Sequence, residues 1–510
     1  MSQRMNWESL LSSKRVSEFG SCPVVDAEPN IEDNRSEFEK DYDQIIFSYP
    51  FRRLQDKTQV IPFPEFDFVH TRLTHSLEVA SVGRTLGDMV AELIFSELGE
   101  EKLKGLGLKN SDIGTLVASS CLAHDIGNPP FGHSGEDAIS FYFKSDRNKF
   151  DLPLEIFNSE KEVEILLENW KRRQDLIQFE GNANGFRIIT QDCQKGVNPT
   201  CALLGTFTKY PRESFLESYP ETDKDKTPKE LSKYGFFQTE REVFKNVASE
   251  LSLLPHESVE SENDIAFHRH PLAYLMEAAD DIAYSIIDFE DGLRLGLIDF
   301  DKTYKKIKIL KDNVYEESEI NDSPCGLLTK VVQIDKLYNS NQIQDCIDFK
   351  EALGYMRPFI FKILAFEVVE VFKKNYEAIM SGQFDGALIN SIENKEILDS
   401  LNKMKKLVKK FIYNHRPVLL SEASGFKIMS ELIESLAISS SICVQCGEQE
   451  TEKAKKLTSL LPERYRPTEN KGITSITDEE KYKRIRKVLD YVSGMTDNYA
   501  TSLYRQMNGF

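Results

Sequence analysis

Four side chains able to bind a metal or move a proton stand in one short stretch, Cys121–Glu136, reading CLAHDIGNPPFGHSGE: His124, Asp125, His133 and Glu136. The adjacent His–Asp pair ends an apolar run (Leu116, Val117, Cys121, Leu122), as where a buried helix delivers ligands to a cleft. Asn-Pro-Pro then breaks that helix, because proline lacks the N–H and clashes with the preceding turn. His133 and Glu136, three apart, share one face of the helix expected next. A lone His–Asp would be read as a helix cap beside a proline turn. Two further ligand types on other expected helices, His75 and Asp280, change that reading. Together His75, His124, Asp125 and Asp280 form a mixed nitrogen–oxygen set suited to Mn2+, Fe2+, Co2+, Ni2+ or Zn2+, and to Mg2+ when waters complete the octahedron. Mg2+ or Mn2+ is the expected working metal. Such a set leaves octahedral positions open for a phosphate oxygen and an attacking water, and the ion lowers the pKa of that water.

The elements that must position these groups are helical. His70–Ala80 opens a long helix expected to reach about Leu98, with Leu77, Val82, Leu86, Val90 and Ile94 as its apolar stripe and Thr74 or Ser76 at its first turn. A second helix runs from Ser111 to His124-Asp125. Pro271 suits a first helical position, and Leu272–Leu293 places Asp280, Tyr284 and Asp288 at i, i+4 and i+8 on one face. Helical pattern continues over 345–380, 392–413, 418–438, 449–461 and 478–506, and strand signals are few. The expected fold is all-α: a partly irregular N-terminal segment (1–35), a catalytic core (36–300) and a helical C-terminal region (301–510). A small β element is allowed only in the first 70 residues or around 320–340.

Bulk properties narrow the class. A chain of 510 residues with 40% hydrophobic content is an ordinary soluble composition, and no apolar run is long enough to span a membrane. The N-terminus lacks the apolar core of a signal peptide, which points to the cytoplasm. The eight cysteines form no framework; Cys443-x-x-Cys446 lacks two further ligands and is read as structural. A net charge of −19 repels polyanions in general, so an anionic substrate must meet a local basic patch or a metal. A groove for a single strand stays open.

The words around the ligands are recognisable. His75, His124-Asp125 and a distant helical Asp280 resemble the HD-domain phosphohydrolase signature. Arg72-Leu-Thr-His75-Ser-Leu-Glu-Val, His124-Asp125-Ile-Gly-Asn-Pro-Pro-Phe-Gly-His133, Phe179-Glu-Gly-Asn-Ala, Lys209-Tyr210-Pro211 and Glu277-Ala-Ala-Asp280-Asp-Ile-Ala-Tyr284 resemble the deoxyguanosine triphosphate triphosphohydrolases. Val492-Ser-Gly-Met-Thr-Asp-Asn-Tyr-Ala resembles that family's C-terminal helix, so the likeness extends from about residue 45 to 507.

The resemblance implies a large HD-domain helical fold. It also implies hydrolysis of a dNTP, dGTP above all, to the deoxynucleoside and inorganic triphosphate. Water would attack the α-phosphorus, and the poor 5′-alkoxide leaving group makes a proton donor valuable. His133, with Glu136 orienting or charging it, is the expected donor; activation of the nucleophile is the alternative role. By the same resemblance Gln59 and Asp288 would read the 3′-hydroxyl, and Tyr284 would stack beneath deoxyribose and exclude a 2′-hydroxyl. Arg72, Lys209 and Tyr210, with Asn182 and Lys233, are the phosphate candidates. Tyr413, Glu422 and Arg464 are candidates for the base pocket, Arg464 in this or a neighbouring subunit. Asn184 and Lys455 depart from an expected glutamine and arginine and bear on guanine preference. A homo-hexamer and a nucleotide or single-stranded-DNA activator are also implied. Two rivals are another HD phosphohydrolase, for cyclic nucleotides or alarmones, and a non-catalytic nucleotide- or single-strand-binding scaffold. The sugar-stacking tyrosine disfavours the first, and the complete ligand set with His133 disfavours the second.

Overall fold

The structure, a computed structural model, describes residues 3–19, 33–60, 70–144, 160–191, 197–217, 227–259, 261, 263–298, 349–445, 452–466 and 477–509. Among these there is no strand, only isolated bridge pairs such as Thr58 with Thr71, so the all-α expectation holds. The 320–340 stretch, Cys446 and the core boundary at 300 lie outside the described residues.

Helix α1 (Glu37–Phe47) opens with a reciprocal cap in which Ser36 and Glu39 satisfy each other's backbone N–H. That helix ends at Ser48, and a short helix (Tyr49–Arg53) restarts with Pro50 in its first turn. Helix α2 (Arg72–Leu106) is capped by Thr71, with Thr74 reaching back to the Thr71 N–H, and it runs past Leu98 across a kink at Gly99 (φ 77°). Helix α3 (Asp112–Ala123) crosses α2 so closely that a Cβ on Gly87 would lie 2.7 Å from Gly114 Cα. This glycine contact lets two backbones approach and sets His75 beside His124, whose ring centroids lie 5.4 Å apart. Helix α4 (His133–Lys144) follows the proline bend. Helix α5 (Gly181–Thr190) meets α4 where the Gly181 N–H donates to Glu136, and α6 (Cys201–Phe207) packs against α3 in the first core. Helix α7 (Pro271–Arg294) has Pro271 at its first position and is buried on every side from Pro271 to Ala279, before Asp280 reaches the cavity.

In the C-terminal region, α8 (Phe349–Lys374) and α9 (Lys395–Val408) join α2, α3 and α7 in one apolar core. A separate core gathers α10 (Arg416–Gln445), α11 (Asp478–Ser493) and α12 (Asp497–Met507) around Met429, Leu432, Ile433, Val488 and Leu489. Its other wall is α4, through Ala138, Ile139, Tyr142 and Phe143. The single helix expected over 478–506 is therefore two, divided at Gly494–Thr496, where Thr496 starts a new N-cap. The N-terminal segment carries its own short helix (Trp7–Leu10), with Trp7 1% exposed and the Met5 N–H bonded to Met380 O.

Candidate active site

The cleft lies where the two cores meet. Helices α2, α3 and α7 belong to the first core and bring His75, His124, Asp125 and Asp280; α4 belongs to the second and brings His133 and Glu136. All six line one cavity of about 360 Å3.

At the ligand end, His75 Nε2 and His124 Nε2 lie 3.3 and 3.4 Å from Asp280 Oδ1, and His124 Nε2 lies 3.6 Å from Asp125 Oδ1. The His124 Nδ1–H donates to Cys121 O (2.6 Å), which leaves Nε2 with its lone pair. That Nε2 is buried and has no hydrogen-bond partner. A buried imidazole lone pair facing two carboxylates, with its other nitrogen pinned to a carbonyl, is the donor chemistry of a divalent-metal site. His75, His124 and Asp280 converge closely enough to share one ion. Burial works to raise the Asp125 carboxyl, but Arg72 (Nη1–Oδ2 2.7 Å) and the two imidazoles outweigh it and hold it below the ordinary range. Asp280 is held well below that range against the same burial, chiefly by Lys209 (2.8 Å) and His124.

Across the cleft, the Glu136 carboxylate is fixed at both oxygens. Oε1 accepts from the Gly181 N–H (3.0 Å), and Oε2 faces His133 Nδ1 (3.0 Å). The hydrogen bond to Glu136 raises the His133 pKa above the usual imidazole value, with burial opposing. The ring itself is open to the cleft, its side chain 85% exposed. An imidazole tethered at Nδ1, open to the cleft and with its protonated form favoured by Glu136, is suited to give a proton.

Gln59, Arg72, Asn182, Lys209, Tyr210, Lys233, Tyr284, Tyr413 and Glu422 line the same cavity. Gln59 Oε1 is buried without a partner. Lys233 Nζ lies 3.0 Å from Glu180 Oε2, and Asn182 Nδ2 donates to Glu180 Oε1 (2.6 Å). Tyr284 and Tyr413 have ring centroids 6.3 Å apart, and the Tyr413 hydroxyl donates to Asp288 Oδ2 (2.8 Å). Asp288 is buried behind this pair and not on the cavity wall, and burial pushes its carboxyl well above the usual range. Arg464 is exposed, its guanidinium over the Tyr465 ring, and is not part of this chain's cavity.

The HD domain model matches residues 72–187, and the Phosphohydrolase-associated domain model matches 393–506. The chain is 34% identical to the "Deoxyguanosinetriphosphate triphosphohydrolase-like protein" of Synechocystis sp., over 99% of both chains. The chain belongs to this family of HD-domain hydrolases. The like-named protein of Listeria innocua is 33% identical over 99% of this chain and 100% of its own. The "Deoxyguanosinetriphosphate triphosphohydrolase" of Enterobacter sp. is 31% identical over 92% of this chain and 93% of its own. No helix among the described residues is long and apolar enough to cross a membrane.

Within that family frame, Asn184 does not bear on the base. It is fully buried, and its Nδ2 donates to Gly127 O (2.7 Å) beneath the proline bend. Lys455 lies on an exposed helix (Glu452–Leu460) outside the cavity. Sequence reasoning missed Asn128, whose Nδ2 donates to Asp125 Oδ1, and Glu180, the partner of Lys233. Both stand inside recognisable words, three residues after Asp125 and one before Gly181. A second histidine–carboxylate cluster, Glu230, His256 and His268, lies buried outside the cavity. Its ring nitrogens already have hydrogen-bonding partners: His268 with Glu230 and Glu257, and His256 with Glu230 and the Ser258 N–H.

Proposed function

We propose that this protein is a metal-dependent dNTP triphosphohydrolase acting on dGTP, yielding deoxyguanosine and inorganic triphosphate. The observation that carries the reading is the placement of His133, tethered to Glu136, in one small cleft with the His75–His124–Asp280 cluster and Asp125. Mn2+ or Mg2+ held by those four residues would supply Lewis-acid polarisation of a phosphate oxygen.

The chain's own residues supply the rest. Arg72, Lys209, Lys233 and Tyr210 bring hydrogen-bond donors into this cavity of a chain whose net charge is −19, so the triphosphate meets a local set of cations there. Water adds to the α-phosphorus, the P–O5′ bond breaks, and His133 gives its proton to the departing 5′-oxygen. Glu136 favours the protonated form of that imidazole and aims it, and the Gly181 N–H keeps Glu136 in place. Tyr284 offers its ring to the face of the sugar, and Gln59 turns its unpartnered Oε1 to the 3′-hydroxyl as acceptor. Asp288 holds Tyr413 beside the Tyr284 ring. Glu422 accepts from the N–H groups of guanine. Incubation with Mn2+ and each dNTP, followed by chromatography, tests the reading: triphosphate is the expected product, and pyrophosphate or orthophosphate overturns it.

A further inference from the structure

The C-terminal word Val492–Ala500 supplies none of the chemistry above, yet it grips both walls of the cleft. Asp497, the first residue of α12, accepts the Thr58 N–H at Oδ2 (2.9 Å) and the Phe131 N–H at Oδ1 (2.9 Å). Thr58 immediately precedes Gln59, and Phe131 lies two residues before His133. One carboxylate therefore spans the segment that carries the amide and the bend that carries the imidazole.

The surroundings make this a bracket. The Lys57 ammonium donates to Asn128 O and to Ser493 O (3.0 Å), and Arg53 Nη1 donates to Gly494 O (2.7 Å). Asn498 Nδ2 donates to Asp56 Oδ1 (2.6 Å). Residues 53–58 are thus stitched to 493–498, across the junction between the two apolar cores. Phe131 is also held at φ 61°, a left-handed conformation that a bulky side chain avoids unless its neighbours enforce it. Asp497 bonds to the backbone of that residue. Aspartate meets the demand because an ionised carboxylate offers two acceptor oxygens and suits the start of a helix, whereas asparagine offers only one acceptor.

We propose that Asp497 is a positioning residue: it fixes the distance between Gln59 and His133, so that sugar reading and proton donation depend on one side chain outside the cavity wall. Its catalytic readout rests on the triphosphohydrolase reading, and its exchange readout rests on the contacts alone. The experiment compares full-length wild type, Asp497→Ala and Asp497→Asn by amide hydrogen exchange, by calorimetric Mn2+ binding, and by kcat and KM for dGTP and GTP.

In Asp497→Ala, peptides covering 57–60 and 128–134 should exchange faster together, while α3 and α7 keep their wild-type rates and Mn2+ binding is retained. The kcat for dGTP should fall about 100-fold, the cost of misplacing a reacting group by an ångström or so, and KM should rise for dGTP and GTP alike, since both carry the 3′-hydroxyl that Gln59 would read. Asp497→Asn, able to serve one amide, should restore either the 57–60 segment with KM or the 128–134 segment with kcat, but not both. Wild-type exchange in both segments of Asp497→Ala overturns the proposal, as does exchange that rises equally in every helix with Mn2+ binding lost. If wild type releases triphosphate from no dNTP, the hydrolase reading falls, and the exchange pattern alone decides the role of Asp497.

Discussion

In the proposed mechanism His133 acts through Glu136, and their separation of 3.0 Å makes the pH profile the place to see it. A proton donor must be charged to act, and Glu136 raises the pKa of the imidazole, so it carries the active form to higher pH. Glu136→Gln removes that support. The alkaline limb of the kcat profile should therefore move to lower pH, with Mn2+ binding intact; a limb that stays in place contradicts the proton-donor role. His133→Ala should lose roughly 100- to 10,000-fold in kcat and keep the metal, the usual worth of a positioned acid. Full rate in that variant would remove His133 from the chemistry. Tyr284 faces the cleft near Tyr413, and Tyr284→Ala should relax discrimination between dGTP and GTP. Unchanged selectivity would show that the ring is packing and not a gate. At this scale the sequence is most legible, because a metal ligand must be one of few residue types and its neighbours form long words. Asp497 and Asn184 are illegible for the opposite reason. They act on backbone groups far away in the chain, and no spacing announces such a contact.

The elements divide the labour by core. Helices α2 and α3 lock through the Gly87–Gly114 approach, and α4 rides on α10 in the second core, so the cleft width depends on how the cores are joined. Periodicity located nearly every helix here but could not find the division at Gly494, because the apolar stripe continues on both sides of it. The turn at 494–496 is what lets Asp497 point back at Thr58 and Phe131. Behind α7, the cluster on the segment before it gives a pH test of stability. Burial disfavours charge on His268, but Glu230 and Glu257 at 2.8 and 2.6 Å outweigh it and raise its pKa above 6.5. Glu230 is lowered to about 2 by His256 and His268 against its burial. A raised histidine stabilises fully below its unfolded pKa and loses that support as pH rises through its folded pKa. The lowered Glu230 stabilises above 4.5 and loses support as pH falls toward about 2. The Tm gap between wild type and His268→Gln should thus be widest between about pH 4.5 and 6.5 and shrink on the alkaline side. A gap that grows with pH would contradict the ion-pair clamp.

Taken whole, the chain is strongly acidic, yet the candidate cleft is lined by Arg72, Lys209 and Lys233. The N-terminal segment is part of the fold. Trp7 and Leu10 are buried, and His270, the N-cap of α7, faces Leu10 O at 3.0 Å through its Nε2. Composition gave no hint of this, since a few apolar residues in a polar stretch look like a tail until the groove that takes them is known. Trp7 and Leu10 pack against residues hundreds of positions away, and short-range patterning carries no record of such partners. The central claim concerns one bond, P–O5′, and the most direct measurement is mass analysis of the products after turnover of dGTP with Mn2+ in heavy-oxygen water. The account predicts inorganic triphosphate carrying one solvent oxygen together with unlabelled deoxyguanosine. Labelled deoxyguanosine, or dGMP with pyrophosphate, would contradict it.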